Sequence, residues 1–234
     1  MIHHITYANG DMSISGAKCS ESALAFGCDR TTLYTPRDID KVFRTKHNDI
    51  LSEPRGAGYW LWKPYVIEQA LSKIAIGDIL VYTDAGLLFE ADVNGLIDAM
   101  DSDIMVFGNR WRHGDWCRMD VLKAMGCETK TDIEQLQASC IILRKSNRSI
   151  EFVRDWLYFC TLNRYITDDP STEPNEPTFI EYRHDQAILT NMAMLYGLTW
   201  HWWPAQYSLR YKYQYPMDQY GVTFQHHRKR NNEW

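Results

Sequence analysis

The sequence predicts an α/β fold in which a mixed, mostly parallel sheet is flanked by helices. Short apolar segments of strand length alternate with helical patterns from the amino terminus to about residue 160. This alternation is typical of parallel strands that are connected by helices. With 234 residues, 45% of them hydrophobic and 24% charged, the chain has the size and composition of an ordinary globular domain. We therefore expect residues 1–234 to form a single domain.

The first part of the chain supplies the first predicted elements. Ile2–Tyr7 is an apolar strand, and Thr35–Asp38 marks a helix start in which Pro follows Thr. Residues 55–64, with the sequence RGAGYWLWKP, are predicted to form a glycine-rich aromatic loop. The apolar residues that follow fall at positions i, i+3, i+4 and i+7 of one helix face, namely Ile67, Ala70, Leu71 and Ile74, and so predict a helix. Gly77 predicts its end.

Three more strands and two more helices are predicted further along the chain. The strands are Asp78–Thr83, Ile104–Phe107 and Ser139–Leu143. The helices carry the apolar stripes Ile150, Val153, Leu157 and Ile188, Met192, Leu195. Between these helices, residues 167–178 contain three prolines and several acidic residues. At this length we expect a lid or a binding loop rather than a domain linker.

Composition and charge exclude several classes of protein. The net charge of −5 argues against a protein that coats nucleic acid non-specifically. No apolar run approaches the ~18 residues of a membrane helix, and the amino terminus lacks the layout of a signal peptide. The six cysteines have no zinc-site spacing. We therefore expect a cytoplasmic protein whose cysteines are reduced thiols in the core.

The common catalytic motifs are absent from the sequence. It contains no G-x-S-x-G, no Walker A motif, no G-x-G-x-x-G placed after a strand and no H-E-x-x-H. These absences exclude the commonest hydrolases, ATPases, dehydrogenases and metalloproteases. A phosphoryl- or nucleotidyl-transferring enzyme stays as an alternative, but the sequence lacks the clustered carboxylates that hold two metal ions.

Asp84 is the first candidate site residue. It follows a predicted buried strand, and open α/β sheets bind their ligands at the carboxyl ends of parallel strands. The small residues Ala85 and Gly86 let a bulky ligand approach the backbone there. The structural alternative is an Asp that only caps a helix or a turn.

Three more polar groups are candidates for the same site. Arg183–Gln186 places four polar side chains at a predicted helix start, where the alternative role of Asp185 is an N-cap. The tail His226–Arg230 could be a solvated end, a metal ligand with phosphate clamps or a nucleic-acid contact. Lys63 and Arg55 flank the aromatic loop, where they could clamp phosphates.

Taken together, these segments resemble nucleotide-sugar-dependent glycosyltransferases of the GT-A fold, in the group of glycogenin and the bacterial galactosyltransferases. Val81–Gly86 looks like the strand that ends in the D-x-D motif, and Gln137–Leu143 resembles the N-A-G strand that touches the donor sugar. His184–Leu189 is similar to the D-Q-x-x-L-N helix start, and His226–His227 occupies the place of the late metal-binding histidine. The GYWLWKP sequence within Arg55–Pro64 resembles a narrower subfamily of small bacterial and viral transferases.

The resemblance implies a role for each matching residue. The catalytic residues would be Asp84, Asp185 and Gln186. The donor-binding residues would be Thr6, Tyr7, Ala8, Arg55, Lys63, Asp84, Ala85, Gly86, Gln137 and Arg228. The metal ligands would be Asp84, His227 and His226, with Mn²⁺ or Mg²⁺ as the cofactor and a nucleotide-sugar as the co-substrate. The resemblance also implies retention of the anomeric configuration, and a location in the cytoplasm, or in the host cytoplasm if the source is viral.

The sequence departs from the family pattern at two places. Gly86 stands where the D-x-D motif has its second Asp, and Gln137-Ala138-Ser139 replaces Asn-Ala-Gly. One metal carboxylate is therefore missing. Two explanations stay open: a metal held by Asp84, a tail histidine and the diphosphate, or neutralisation of the leaving group by the basic tail itself.

Several functions stay open for the acceptor side. A saccharide or glycoconjugate is the first expectation. The second is a hydroxymethylated base in DNA, with Arg144, Lys145, Arg148 and the tail as a backbone-binding strip. A non-catalytic module that binds a sugar or a nucleotide-sugar is the alternative outside the enzymes.

Overall fold

A computed structural model of the protein describes residues 1–162, 164–215 and 220–234. The strands are β1 (Ile2–Tyr7), β2 (Arg30–Tyr34), β3 (Ile79–Thr83), β4 (Leu87–Phe89), β5 (Ile104–Arg112), β6 (Glu134–Leu136), β7 (Cys140–Arg144), β8 (Trp200–Trp202) and β9 (Phe224–His226). The helices are α1 (Ser13–Ala25), α2 (Lys41–Lys46), α3 (Asn48–Leu51), α4 (Gly56–Tyr59), α5 (Trp62–Lys73), α6 (Asn94–Asp98), α7 (Met119–Ala124), α8 (Asn147–Thr161) and α9 (His184–Leu195). Short 3-10 helices cover Gly10–Met12, Pro36–Asp38, His113–Asp115, Gln206–Gln214 and Asn231–Glu233.

The main sheet has seven strands in the order β2-β1-β3-β7-β5-β6, with β8 paired to β5. β1, β2, β3, β5 and β8 run in one direction, whereas β7 and β6 run in the opposite direction. The predicted mixed, mostly parallel sheet is therefore confirmed. Because β7 is antiparallel to β3 and β5, its beginning lies at the edge of the sheet where β1, β3 and β5 end. β4 and β9 form a second, two-stranded sheet.

Helices and the small sheet cover the two faces of the main sheet. Successive residues of β3 point to opposite faces: Leu80 and Tyr82 join the core formed with α5, α8 and α9, whereas Ile79 and Val81 join the core formed with α1, β4 and β9. Each fully buried large apolar side chain contributes about 1.5–3 kcal/mol of transfer free energy. All six cysteines are buried and free, as the sequence predicts.

Most predicted elements are present, but the region after residue 55 differs from its prediction. The helix α5 begins at Trp62, inside the segment predicted to be a loop, and ends at Lys73. The reason is that a helical turn, α4, precedes it and the glycines hide this turn from a search for apolar periodicity. Residues 167–178 contain no helix or strand, as predicted.

The turn α4 has an unusual left-handed backbone. The angle φ is +59° at Gly56, +52° at Ala57, +97° at Gly58, +50° at Tyr59 and +60° at Trp60. A left-handed backbone costs an L-residue other than glycine about 1–2 kcal/mol. The turn persists because hydrogen bonds close it, among them Gly58 N to the Glu53 carbonyl at 2.8 Å and Tyr59 N to the Arg55 carbonyl at 2.8 Å.

We predict that Gly58→Ala destabilises the protein more than Gly77→Ala. Both glycines have a positive φ, +97° and +88°, so both substitutions carry backbone strain of about 1 kcal/mol or more. At Gly58 a Cβ would also lie 2.7 Å from Leu51 Cα, whereas at Gly77 it would meet no atom within 4 Å. We expect a further loss of about 1–3 kcal/mol for Gly58→Ala from this overlap, measured by urea unfolding. Equal losses for the two variants would contradict this account of the turn.

Candidate active site

A cleft with a volume of about 560 Å³ lies at the edge of the sheet where β1, β3 and β5 end. Ten residues that the sequence assigns to the site line this cleft: Tyr7, Lys63, Asp84, Ala85, Gly86, Gln137, Asp185, Gln186, His226 and Arg228. They come from the first strand, the start of α5, the end of β3, the beginning of β7, the start of α9 and the tail. The structure therefore brings together segments that lie far apart along the chain.

Lys63 lies between the two carboxylates of the cleft. Its Nζ is 2.8 Å from Asp185 Oδ2 and 3.4 Å from Asp84 Oδ1. It also donates a hydrogen bond to the Ala138 carbonyl at 3.1 Å. The side chains of Lys63 and Asp185 are only 3% and 5% exposed, whereas that of Asp84 is 29% exposed. Asp84 therefore faces the open cleft, while Asp185 and Lys63 form its buried floor.

Burial and ion pairing act in opposite directions on the pKa values of Asp185 and Lys63. Burial raises the pKa of Asp185 to about 6, because its effect, to which Asp84 adds, outweighs the attraction of Lys63. Burial opposes the charge of Lys63, but the neighbouring carboxylates Asp185 and Asp84 outweigh this effect and raise its pKa. The Tyr82 hydroxyl donates a hydrogen bond to Asp84 Oδ1 at 2.6 Å. At neutral pH the ionised form of Asp185 therefore lies beside a charged Lys63.

The amide side chains next to these carboxylates are held in fixed orientations. Gln186 accepts a hydrogen bond from Ala138 N at 3.3 Å through Oε1, and it donates one to Gln135 Oε1 at 2.7 Å through Nε2. Gln137 donates from Nε2 to Ser139 Oγ at 2.6 Å. Both glutamines line the cleft, so their amides are positioned beside any ligand in it.

The small sheet brings the basic tail to the end of β3. The backbone N–H groups of His227 and Arg228 donate to the Gly86 carbonyl at 2.9 and 3.2 Å. A Cβ at position 86 would lie 3.3 Å from Arg228 Cα, so a second Asp in the place of Gly86 would crowd the tail. Arg228 Nε donates to His226 Nε2 at 3.1 Å, which leaves Nδ1 to donate to the Tyr207 hydroxyl at 3.2 Å. Burial, with a contribution from Arg228, lowers the pKa of His226 to about 4.

The residues predicted to bind a metal do not form a ligand set. His227 does not line the cleft: its Nδ1 accepts a hydrogen bond from Lys229 N at 2.9 Å, and its ring packs against Trp234 at 4.9 Å. Both nitrogens of His226 are already hydrogen-bonded, which leaves Asp84 as the open candidate. Among the residues that the structure describes, no three His, Cys, Asp or Glu side chains are placed to hold a metal ion.

Three residues predicted to bind the donor lie outside the cleft lining. Arg55 forms ion pairs with Asp168 at 3.5 Å and Glu181 at 3.4 Å. Thr6 and Ala8 are buried and point away from the cleft, because successive residues of an extended chain face opposite sides. Tyr7, between them, lines the cleft, and its ring stacks on the Trp62 ring at 3.8 Å.

Two predictions about the wider surface need correction. Arg144 lies opposite Ile79, at the other end of β3 from Asp84, so the basic strip is about 13 Å or more from the tail along the strand. The strip and the tail therefore lie at opposite ends of β3. No part of the loop 167–178 lines the cleft. Its Glu173 and Glu176 instead form ion pairs with Lys123 and Arg112, both at 2.7 Å or less.

Several further residues line the cleft without an individual predicted role: Asn9, Asp11, Met12, Pro54, Gly56, Ala57, Trp60, Trp62, Trp111, Ala138, Ser139, Arg183, His184 and Arg230. Of these, Arg183, His184 and Arg230 belong to polar segments that the sequence marks as candidates for the site. The aromatic residues from Trp111 to Trp116 form a cluster in the sequence that suits a pocket wall as well as a core. Their position relative to the other segments depends on the path of β5.

Comparison with solved structures identifies the fold as the GT-A fold of glycosyltransferases. The galactosyltransferase LgtC, in complex with donor and acceptor sugar analogs, matches with a TM-score of 0.56 and 11% identity, covering 97% of this chain and 87% of that chain. Mouse xyloside xylosyltransferase 1 matches with a TM-score of 0.50 and 11% identity, covering 100% and 99%. The bifunctional glycosyltransferase WbbM matches with a TM-score of 0.50 and 11% identity over 82% of this chain, which spans 37% of that protein.

Comparisons by sequence find no match. No model of a protein family matches the chain, and no curated protein matches it significantly. The likeness to the solved structures is therefore one of fold. In the described part of the chain, no helix has the length and apolar character to cross a bilayer.

We predict that Lys63→Met destabilises the protein strongly and in a pH-dependent way. The substitution leaves Asp185 buried without its ammonium partner, which typically costs about 3–5 kcal/mol. The loss is largest at pH 8, where the carboxyl is ionised. It becomes smaller at pH 5, where a carboxyl whose pKa is already raised takes up a proton. Urea unfolding at the two pH values measures this difference.

Lys73→Met is the matched control, because Lys73 is exposed at the other end of the same helix. Its loss stays within about 0.5 kcal/mol at both pH values. A Lys63→Met variant that is as stable as this control would show that the buried ion pairs are unimportant for folding.

Proposed function

We propose that the protein is a nucleotide-sugar-dependent glycosyltransferase that moves a sugar from a nucleoside diphosphate to a hydroxyl group of a saccharide acceptor. The observation that carries this proposal is the arrangement of charge in one cleft of a GT-A fold. The buried Asp185, the partly exposed Asp84 and the fixed amides line this cleft together with the exposed guanidinium groups of the tail. The solved structure of LgtC, which shares the fold, holds donor and acceptor sugar analogs.

Sugar transfer needs such an arrangement because it develops charge of both signs. The bond from the anomeric carbon to the diphosphate breaks, so the leaving group becomes more negative and the sugar ring becomes cationic. Groups that are already oriented toward these charges lower the barrier. Asp185 and Gln186 orient the donor sugar and stabilise its positive charge, with Gln137 at the sugar hydroxyls. Asp84 binds the donor at the mouth of β3, and Tyr7 borders the nucleotide base.

Lys63 has a different role from the phosphate clamp that the sequence suggests. Its ammonium group contacts Asp185 and Asp84 and is almost fully buried. In our proposal it keeps Asp185 ionised at neutral pH, against the effect of burial, and so preserves the negative charge beside the sugar.

We assign the neutralisation of the leaving diphosphate to Arg228, with Arg230 beside it. Both side chains line the cleft, and arginine binds phosphate oxygens through two parallel N–H groups. The hydrogen bond to the neutral His226 ring orients the Arg228 guanidinium. The predicted set of metal ligands is not assembled, so no step in this mechanism passes through Mn²⁺ or Mg²⁺. Retention of the anomeric configuration stays a prediction.

We predict that Asp84→Ala and Asp185→Ala each reduce turnover by about 10²–10³, because each removes one oriented charge from the site. The assay measures release of the nucleoside diphosphate from a panel of nucleotide-sugars, with mixed saccharide acceptors supplied. Asp155→Ala, in which the lost carboxylate lies outside the cleft lining on α8, keeps full turnover.

Two outcomes of this assay contradict the proposal. A folded Asp84→Ala enzyme with full turnover would remove the donor site. Silence of the wild-type protein across the whole panel, with and without Mn²⁺, would favour the non-catalytic binding module instead.

We also predict that Arg228→Ala reduces turnover by about 10²–10³ in the presence of excess EDTA, whereas Lys229→Ala does not. Lys229 is the neighbouring exposed cation, but its Nζ lies over the Trp234 ring and outside the cleft lining. The wild-type protein keeps its turnover in EDTA. Complete loss of wild-type turnover in EDTA, restored by Mn²⁺, would show that a divalent cation rather than Arg228 neutralises the leaving diphosphate.

A further inference from the structure

Trp111 lies near the end of β5 and forms part of the cleft wall. Its side chain is 40% exposed, which is unusual for tryptophan in a folded domain. The ring stacks on Trp116 at a centroid distance of 4.6 Å. No step of the proposed donor chemistry uses this aromatic surface.

The backbone that carries Trp111 is built to hold it in place. The pairing of β5 with β6 shifts in register between Gly108 and Arg112, and Arg110 has a positive φ of +71°. Such irregularities at the end of a strand turn a side chain toward a new direction. Side chains fix this bend: Asn109 Oδ1 accepts from Trp111 N at 2.9 Å, and Glu134 Oε1 accepts from Arg110 N at 2.6 Å.

Arg183 completes the surface around the two rings. Its guanidinium carbon lies 5.0 Å from the centre of the Trp111 ring and 4.6 Å from the centre of the Trp116 ring. Nη2 pairs with Glu181 at 2.8 Å, but Nε is buried and has no hydrogen-bond partner. The side chain as a whole is 33% exposed, so the open part of the guanidinium can donate to a ligand hydroxyl.

Trp111 also lines a second hollow, with a volume of about 280 Å³. The other residues of this hollow are Arg110, Arg112, Asp132, Ile133 and Glu134. Trp111 therefore borders both spaces, and the second hollow lies next to the main cleft at this residue.

We propose that Trp111 and Arg183 form an acceptor subsite for a saccharide of at least two units, one of which stacks on Trp111 while the chain continues into the second hollow. The proposal rests on the proposed glycosyltransferase function. The C–H face of a pyranose ring is apolar and packs on an indole ring, while its hydroxyls need polar partners such as the partly exposed Arg183 guanidinium. In this hollow Arg110 pairs with Glu134 and Arg112 with Asp132, so the lining carries no excess positive charge that would attract the phosphates of DNA.

The test measures binding to an array of immobilised glycans of one to six sugars, in the presence of UDP or GDP. Duplex and single-stranded DNA oligonucleotides with hydroxymethylated bases share the array. We compare wild-type protein with Trp111→Ala, Trp111→Phe and Tyr158→Ala. Tyr158 is an aromatic control that is 56% exposed on α8, outside both cavities.

We expect wild-type protein to bind at least one glycan of two or more sugars. Trp111→Ala weakens this binding by about tenfold or more, whereas Trp111→Phe keeps most of it and Tyr158→Ala all of it. Three results would overturn the inference: no glycan bound, equal binding by Trp111→Ala, or Trp111-dependent binding of DNA alone. Release of nucleoside diphosphate from the nucleotide-sugar panel, with saccharide acceptors supplied, is measured for the same variants, and Tyr158→Ala keeps the wild-type rate. If the wild-type protein releases no nucleoside diphosphate, the proposed function fails, and the array result still reports separately on the glycan subsite.

Discussion

The ion pairs of Lys63 with Asp185 and Asp84 are the constraint on which the rest of the site depends. Removing the charges of Lys63 and Asp185 from water is costly, and the cost is met only when the geometry is close and other polar groups are satisfied. Here Nζ also donates to the Ala138 carbonyl, at the beginning of β7. One ammonium group thus ties together α5, β3, β7 and α9. Apolar side chains in the same place would stabilise the fold equally well. We therefore interpret the buried ion pairs as charges that are oriented for catalysis.

The topology of the sheet explains how these groups meet. β7 is inserted antiparallel between β3 and β5, so Gln137–Ser139 lies beside the end of β3. The pairing of β4 with β9 returns the tail to the same place, where the absence of a side chain at Gly86 leaves room for Arg228. The left-handed turn α4 then sets the direction of the chain into α5, whose second residue is Lys63.

Much of the sheet and many of the cleft residues could be predicted from the sequence, because buried strands and polar residues at strand ends are local patterns. Asp84, Asp185 and Gln186 follow such patterns. Other features depend on non-local geometry. The ion pairs of Arg55 with Asp168 and Glu181 involve residues distant in the chain. The contact of His227 with Trp234 lies within the tail, but no apolar or polar pattern of the tail predicts it. Trp111 depends on an irregular strand end, and the left-handed turn has no apolar period that a pattern could detect.

The most direct test is a crystal structure of the wild-type protein with a nucleoside diphosphate, grown without divalent metal. The account predicts that the diphosphate lies in the cleft at hydrogen-bond distance from the Arg228 guanidinium. It also predicts that the vacant space for a sugar faces Asp185 and Gln186. A nucleotide bound on another surface, or one in the cleft whose phosphates make no contact with the tail, would contradict the convergence of charge on which the whole interpretation depends.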